Sequence, residues 1–323
     1  MNERLDVVKT YKLFINGQFP RSESGRSIRV MDGSGERVLA HVCRGSRKDL
    51  RDAVVAARAA HEGWMRRAAY NRGQILYRMS EMLEGKRREF VEALENAEEK
   101  THHRGTEAQR GSRGEKKIVK KGTARAGDRG GTKVNADAEV SAAVDRLVSY
   151  AGWADKFAQV LGCNNPVVGP YYNFTIPEGT GVVGVVAPDS PGLLGLVSLI
   201  APALCGGCTV VALGSELHPL ATCIFGEVCA TSDVPAGVVN LLTGERAELL
   251  EHFASHREID AIHAANLSDE EARVLRLGAA ENVKRVRVRE VGADEWFDAE
   301  TCQNPWWIEP FVEMKTIWHP SGA

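Results

Sequence analysis

The chain has no strong charge of either sign. Its 41 Lys and Arg residues against 43 Asp and Glu leave a formal charge of -2 at pH 7. That balance argues against a general polyanion or membrane surface as partner. It has no unbroken apolar run of spanning length, because the longest, Val182 to Leu213, is interrupted by prolines, glycines and Asp189. The opening text, MNERLDVVKTYKLF, lacks the apolar stretch of a secretion signal, so a cytoplasmic location is expected. The seven cysteines are odd in number and scattered. Reduced thiols fit that distribution better than a disulfide framework does. His102 and His103 are adjacent and lack a Cys or acidic partner at ligand spacing, so no metal site is expected.

What is present is an ordinary globular composition, 43% hydrophobic and 26% charged over 323 residues, enough to bury a sizeable core. The most informative stretch is GVVGVVAPDSPGLLGLVSLIAPALCGGCTVVALGSE, from Gly181 to Glu216. Val182 to Val186 reads as a strand buried on both faces. Pro188-Asp189-Ser190-Pro191 breaks the chain. Leu193 to Leu204 reads as a helix buried almost all round, and Thr209 to Leu213 as a second buried strand. This is a βαβ unit, the repeating piece of a parallel sheet.

Further alternation follows. Helices are expected at Pro219 to Ala230, Ala247 to Ser255 and Ser268 to Gly278. Strands are expected at Ala236 to Leu242, Ile259 to His263 and Val283 to Val291. The fold class is therefore α/β, a doubly wound, Rossmann-like parallel sheet of about five strands. Upstream, Tyr11 to Phe19 reads as a hairpin around Asn16-Gly17, and Ser27 to Met31 with Arg37 to Val42 as a second. A helix capped by Ser46 runs to Trp64, and one longer helix carries Ile75, Met79, Leu83, Phe90 and Leu94. Val140 to Leu161 is helical, and Pro170 to Pro177 is an antiparallel crossing strand.

Between Arg104 and Lys133 stand ten basic residues against three acidic ones, with hardly a large apolar side chain. Such a stretch is expected to be a disordered insertion. Phosphate attraction could make it a polyanion contact. It contains no aromatic residue to stack on bases, so nucleic acid is not the expected partner.

Gly179-Thr180-Gly181-Val182-Val183-Gly184 matches the GxGxxG pattern, but it leads into a strand instead of opening a helix. It is read as a glycine-rich strand entry and not as a dinucleotide fingerprint.

The Gly181–Glu216 text resembles the cofactor domain of the aldehyde dehydrogenase superfamily. The opening hairpin, the AYNRGQILYRMSEMLEGKRREFVEAL helices and the AGWADK segment are similar to that superfamily too. The tail Phe311 to Trp318 resembles its terminal strand, which pairs with a neighbouring subunit's oligomerisation sheet. The resemblance implies hairpins and helices over residues 1–100, an insertion over 101–135, a helix and crossing strand over 136–177, a cofactor-type domain over 178–292, and a tail with the oligomerisation strand over 293–323.

The resemblance also implies site positions. The superfamily's ribose-binding glutamate corresponds to Glu216, but its lysine position is Leu213, which has no donor. The helix N-terminus beneath the pyrophosphate corresponds to Ser268-Asp269-Glu270-Glu271, where a capping box and three carboxylates oppose a diphosphate. Ser190 stands at the oxyanion asparagine, and Glu290 is the counterpart of the general base. No cysteine lies in the nucleophile's context, and the catalytic domain that carries it is expected to be missing. Cys302 is the only cysteine near Glu290 in sequence. Cys205-Gly206-Gly207-Cys208 lies at a buried corner. Cys223 and Cys229 read as core, and Cys43 and Cys163 are isolated.

The chain thus most resembles the cysteine-less second module of tandem (family sixteen) aldehyde dehydrogenases. The expected function is a non-catalytic subunit that assembles with itself or with a catalytic aldehyde dehydrogenase. No cofactor is expected, and NAD or NADP if any. The alternatives are an active NAD(P)-dependent aldehyde oxidoreductase and a polyanion binder acting through the insertion.

Overall fold

The computed structural model describes residues 7–32, 34–96 and 135–322. The expectations for His102, His103 and Arg104 to Lys133 lie outside these residues.

The βαβ reading holds. Strand β6 (Val182–Val186) and strand β7 (Thr209–Leu213) flank helix α6 (Gly192–Cys205), and each of the three is buried along its whole length. The reason is visible in the packing. Val183, Val185, Val210 and Ala212 belong to one apolar layer, and Val182, Val186, Val211 and Leu213 to a second. Because side chains alternate across a strand, a valine run suits only a sheet covered on both faces. Each such fully buried valine contributes about 1.5–3 kcal/mol relative to an exposed one.

The rest of the sheet is β8 (Val239–Leu242), β9 (Ala261–Ala265) and β10 (Arg285–Arg289), in the order β10-β9-β6-β7-β8, with every pairing parallel. The layer on one face includes residues of α1 (Arg47–Met65), α8 (Arg246–Ser255) and α9 (Asp269–Ala280). The opposite layer includes α6, α7 (Pro219–Ala230), α2 (Ala69–Gly85) and α4 (Ala136–Trp153).

Two glycines of the GxGxxG text explain why it is not a phosphate loop. Gly181 has φ +138°, and a Cβ there would lie 1.8 Å from Asp260 Oδ2. At Gly184 a Cβ would meet the Phe253 ring of α8 at 3.0 Å. Gly181 serves close packing at the strand entry and Gly184 within the strand.

Several expectations are corrected. Asn16 and Gly17 form the tight turn, with φ 53° and 72°, but it is closed by an isolated Ile15–Gln18 bridge. The strand before the turn, β1 (Lys9–Tyr11), instead pairs parallel with β3 (Val38–Cys43). β3 also takes the second hairpin's partner, β2 (Ser27–Met31). The expected longer helix is broken at Lys86, so α2 ends at Gly85 and residues 87–96 form a separate α3. Likewise α4 stops at Trp153, and a short α5 (Phe157–Leu161) follows.

The terminal strand β11 (Val312–Pro320) lies antiparallel along β5 (Tyr171–Gly179) of the same chain over nine residue pairs. β4 (Cys163–Asn165) completes a third sheet, β11-β5-β4.

The tail before β11 holds 3-10 turns and the short α10 (Ala299–Cys302). It is anchored by two basic groups, Arg146, which is buried, and Arg289, which is half-buried. Arg146 of α4 is fully buried and donates to Ser198 Oγ at 2.5 Å and to the Trp296 carbonyl at 2.7 Å. Arg289 lies 3.8 Å over the Trp307 ring and donates from Nε to His263 Nε2 at 2.8 Å. Because Nε2 must accept, the His263 proton sits on Nδ1 and donates to the Leu199 carbonyl at 3.0 Å. Burial and the neighbouring Arg289 hold its pKa well below the ordinary value of 6.5.

This fixes a pH dependence. The unfolded chain takes up a proton near pH 6.5 that folded His263 refuses. The stability is present above that pH and is lost as pH falls, by about 1.4 kcal/mol per unit for one such group. His218, lowered to about 4 by burial, adds to the same slope. Urea unfolding between pH 7 and 5 is expected to show this loss, and His263→Gln to flatten it by about one histidine's share.

Candidate functional site

In an open parallel sheet, ligands bind outside the carboxyl ends of the strands where the chain order reverses. Here that point lies between β6 and β9. Four segments meet there: the turn after β6 with Asp189, the turn after β7 with Glu216, the start of α8 with Arg246, and the start of α9 with Glu271.

Arg246 fills the crevice. Its guanidinium is bidentate to Asp189, Nη2 to Oδ1 at 2.6 Å and Nη1 to Oδ2 at 3.0 Å. Nη2 also donates to the Ala187 carbonyl at 3.0 Å, and Nη1 lies 3.8 Å from Glu271 Oε1. The arginine side chain is only 8% exposed. A paired fork of this kind is among the stronger hydrogen-bonded contacts a protein can make. Nothing in the sequence pattern pointed to Arg246. The helix was expected to start one residue later, and a single arginine there reads as surface.

Glu216 is exposed, and its Oε1 accepts the Arg246 backbone N–H at 2.5 Å, so it caps α8. Leu213 is fully buried at the end of β7. At α9 the capping box is formed: Ser268 Oγ accepts the Glu271 N–H at 3.3 Å, and Glu271 Oε2 accepts the Ser268 N–H at 2.8 Å. The amides that a diphosphate would use at this end are thus partly taken. Asp269, Glu270 and Glu271 make the helix start anionic.

The start of α6 is also engaged. Buried Glu139 of α4 accepts the Leu193 and Leu194 amides at 2.7 and 3.1 Å. Ser190 sits exposed in the preceding turn. Glu290 is exposed at the end of β10, on the same edge of the sheet but two strands from β6, a lateral offset of about 10 Å. The structure therefore places Ser190, Glu216 and Glu290 along one edge without bringing them into mutual contact.

The cysteines lie elsewhere. Cys302 is buried in α10; its thiol donates to the Glu295 carbonyl at 3.3 Å, and burial raises its pKa despite Arg146. Cys208 is pushed up to about 11, and Cys205, Cys223 and Cys229 are raised further, all by burial. Cys43 is buried and Cys163 exposed on an edge strand. A thiol raised this far is mostly protonated at neutral pH and is a poor nucleophile.

One concavity adjoins the crevice. A groove of about 540 Å³ runs between α8 and α9, with Leu250, Ala254, Val274 and Leu277 as its apolar wall and Arg246 and Glu271 at its mouth. It has room for a flat ring system. Among the described residues no cluster of His, Cys, Asp or Glu could hold a metal ion, and no helix is long and apolar enough to cross a membrane.

The family model described as the aldehyde dehydrogenase family matches residues 19–114 and 115–297. The chain belongs to the aldehyde dehydrogenase family. The mitochondrial aldehyde dehydrogenase family 2 member B4 of Arabidopsis thaliana is 31% identical over 88% of this chain and 47% of its own length. The mitochondrial benzaldehyde dehydrogenase of Antirrhinum majus is 30% identical over 94% of this chain and 50% of its own. Among solved structures, the NAD+ complex of the Bacillus cereus aldehyde dehydrogenase superposes with a TM-score of 0.72 at 26% identity, over 88% of this chain and 51% of that one. The chain therefore spans about half the length of the aldehyde dehydrogenases it matches.

The ion pair makes a stability prediction. Arg246→Met leaves the Asp189 carboxylate without its main partner and is expected to cost about 2–4 kcal/mol. Asp189→Asn should cost a similar amount. In the double variant the loss should fall well short of the sum, as urea unfolding of all four proteins would show. Additive losses would mean that the pair is not coupled.

Proposed function

We propose that this chain is an aldehyde dehydrogenase-like protein that does not turn over aldehyde by itself and that assembles with itself or with a catalytic aldehyde dehydrogenase. The observation that carries the reading is the Arg246–Asp189 pair in the switch-point crevice. A dinucleotide seated there would have to displace a salt bridge whose arginine is buried and whose aspartate is half-buried, and approach the carboxylates of Glu216 and Glu271. Leu213 offers no donor in compensation. Acyl chemistry needs an accessible thiolate; burial raises the thiol of Cys302, the cysteine nearest Glu290 in sequence, and no cysteine lies along the edge that carries Ser190 and Glu290.

Assembly is supported by the β11-β5-β4 sheet. β11 is an edge strand of nine residues, with its outer ladder unpaired among the described residues. On one face Met314 and Trp318 stand beside Pro177 and Tyr171, and Tyr171 packs edge-on to Trp318 at 5.9 Å. Met314, Trp318 and Tyr171 are each more than two-fifths exposed. A long edge bearing apolar side chains favours pairing with another chain. The α8/α9 groove is the one feature favouring the rival reading, an NAD(P)-dependent aldehyde oxidoreductase that uses Glu290 as base.

Two measurements test this. Calorimetric titration with NAD and NADP is expected to give no binding tighter than about 1 mM, roughly -4 kcal/mol. Tighter binding, together with aldehyde turnover lost in Glu290→Ala, would establish the rival. Gel filtration is expected to give a mass above one chain, or co-elution with an added aldehyde dehydrogenase, and Met314→Asp with Trp318→Asp to abolish it. A monomer indifferent to any such enzyme would sink the assembly reading.

A further inference from the structure

On the other side of α8 lies a second groove, between the start of α1 and the end of α8, with a volume of about 490 Å³. Arg47, Lys48 and Arg51 come from α1, and His252, His256 and Arg257 from α8 and the turn after it. Among the described residues, the only acidic one lining it is Glu23. In a protein of net charge -2, this is a local excess of three positive charges with both histidines neutral.

The neighbouring acids do not cancel it. Glu258 and Asp260 are both taken by Arg58, at 3.0 and 2.6 Å. Asp49 is buried beneath the groove and turned to Ser22 Oγ and the Ser46 amide, at 2.7 and 2.8 Å. Glu23 reaches Lys48 at 3.4 Å, and Asp52 reaches Arg51 at 3.3 Å, both exposed pairs that contribute little. Arg47 and Arg257 have no ion pair among the described residues. Behind the groove, Lys284 is 9% exposed and donates to the His256 and Phe253 carbonyls at 2.7 and 3.3 Å. It satisfies the open end of α8 and adds a further cation, with Asp260 near enough to offset part of its charge. Burial first, and then Lys284 and Arg47, hold the His256 pKa below its ordinary value, with Glu258 opposing them.

We propose that this groove is a binding site for a small organic anion carrying a diphosphate or two phosphate groups. Forked guanidinium donors match phosphate oxygens in pairs, and an excess of three charges balances a diphosphate. The volume leaves room for the organic part. The lining holds no Phe, Tyr or Trp on which a base could stack, and the cations are confined to one groove, which favours a small anion over a nucleic-acid strand. The site is separate from the α8/α9 groove and does not depend on the function proposed above.

Inorganic pyrophosphate is the probe. Calorimetry on the full chain at about 20 mM salt is expected to give a Kd below about 1 mM. Binding should weaken steeply by 150 mM salt, as screening requires. Arg47→Gln with Arg257→Gln should weaken it at least tenfold and leave the far-UV circular dichroism unchanged, because neither side chain holds a structural partner. Unchanged affinity in that double variant places the anion elsewhere and overturns the proposal, as does silence up to several millimolar. A single-stranded oligonucleotide that binds more tightly than pyrophosphate, and loses that binding in the same variant, would overturn the small-anion assignment in favour of a polyanion.

Discussion

One guanidinium organises the carboxyl edge of the parallel sheet. Arg246 ties the turn after β6 to the start of α8 and approaches the start of α9, while Glu216 joins the turn after β7 to the same helix end. A doubly wound sheet leaves a crevice at this point because helices leave in opposite directions from neighbouring strands. Nothing in the strand pairing requires the crevice to stay open. Here a side chain of the protein fills it, and some of the amides at the neighbouring helix starts are already partnered within the chain.

The opposite, tail-bearing side of the molecule follows a different rule. Among the described residues, fully buried Arg146 and half-buried Arg289 have no carboxylate partner and bond instead to a carbonyl, a hydroxyl, a neutral imidazole and an indole face. Burying cations this way is costly unless each N–H finds an acceptor. Arg146 Nε and Arg289 Nη2 do not find one. The tail from Trp296 to Phe311 is therefore held by hydrophobic area and a few charge-assisted bonds. Its buried Cys302 belongs to that packing.

Much of the fold was legible from local text. The valine runs, the Asn16-Gly17 turn, the Ser46 cap and the Pro219 helix start each carry a short-range reason for their structure. The misreadings came where short-range signals compete. The expected longer helix has continuous apolar spacing across Lys86, yet it breaks there, and β1 passes over the adjacent hairpin to pair with β3. The burial of Leu213 and the capping box of Ser268 and Glu271 were legible from sequence alone. Arg246 was invisible, because an arginine in a first helical turn has no signature until its partner 57 residues away is in place.

The sequence by itself determined the family, the alternation of strands and helices, and the two-sided burial of β6 and β7. Those depend on residue order and on periodicity, which act within one element. Only the tertiary structure decided that Arg246 closes the crevice, that β11 lies on β5, and that Arg47, Lys48 and Arg51 face Arg257 across a groove. Each of these joins residues far apart in sequence, and ion pairing, strand register and charge accumulation depend on distance in space.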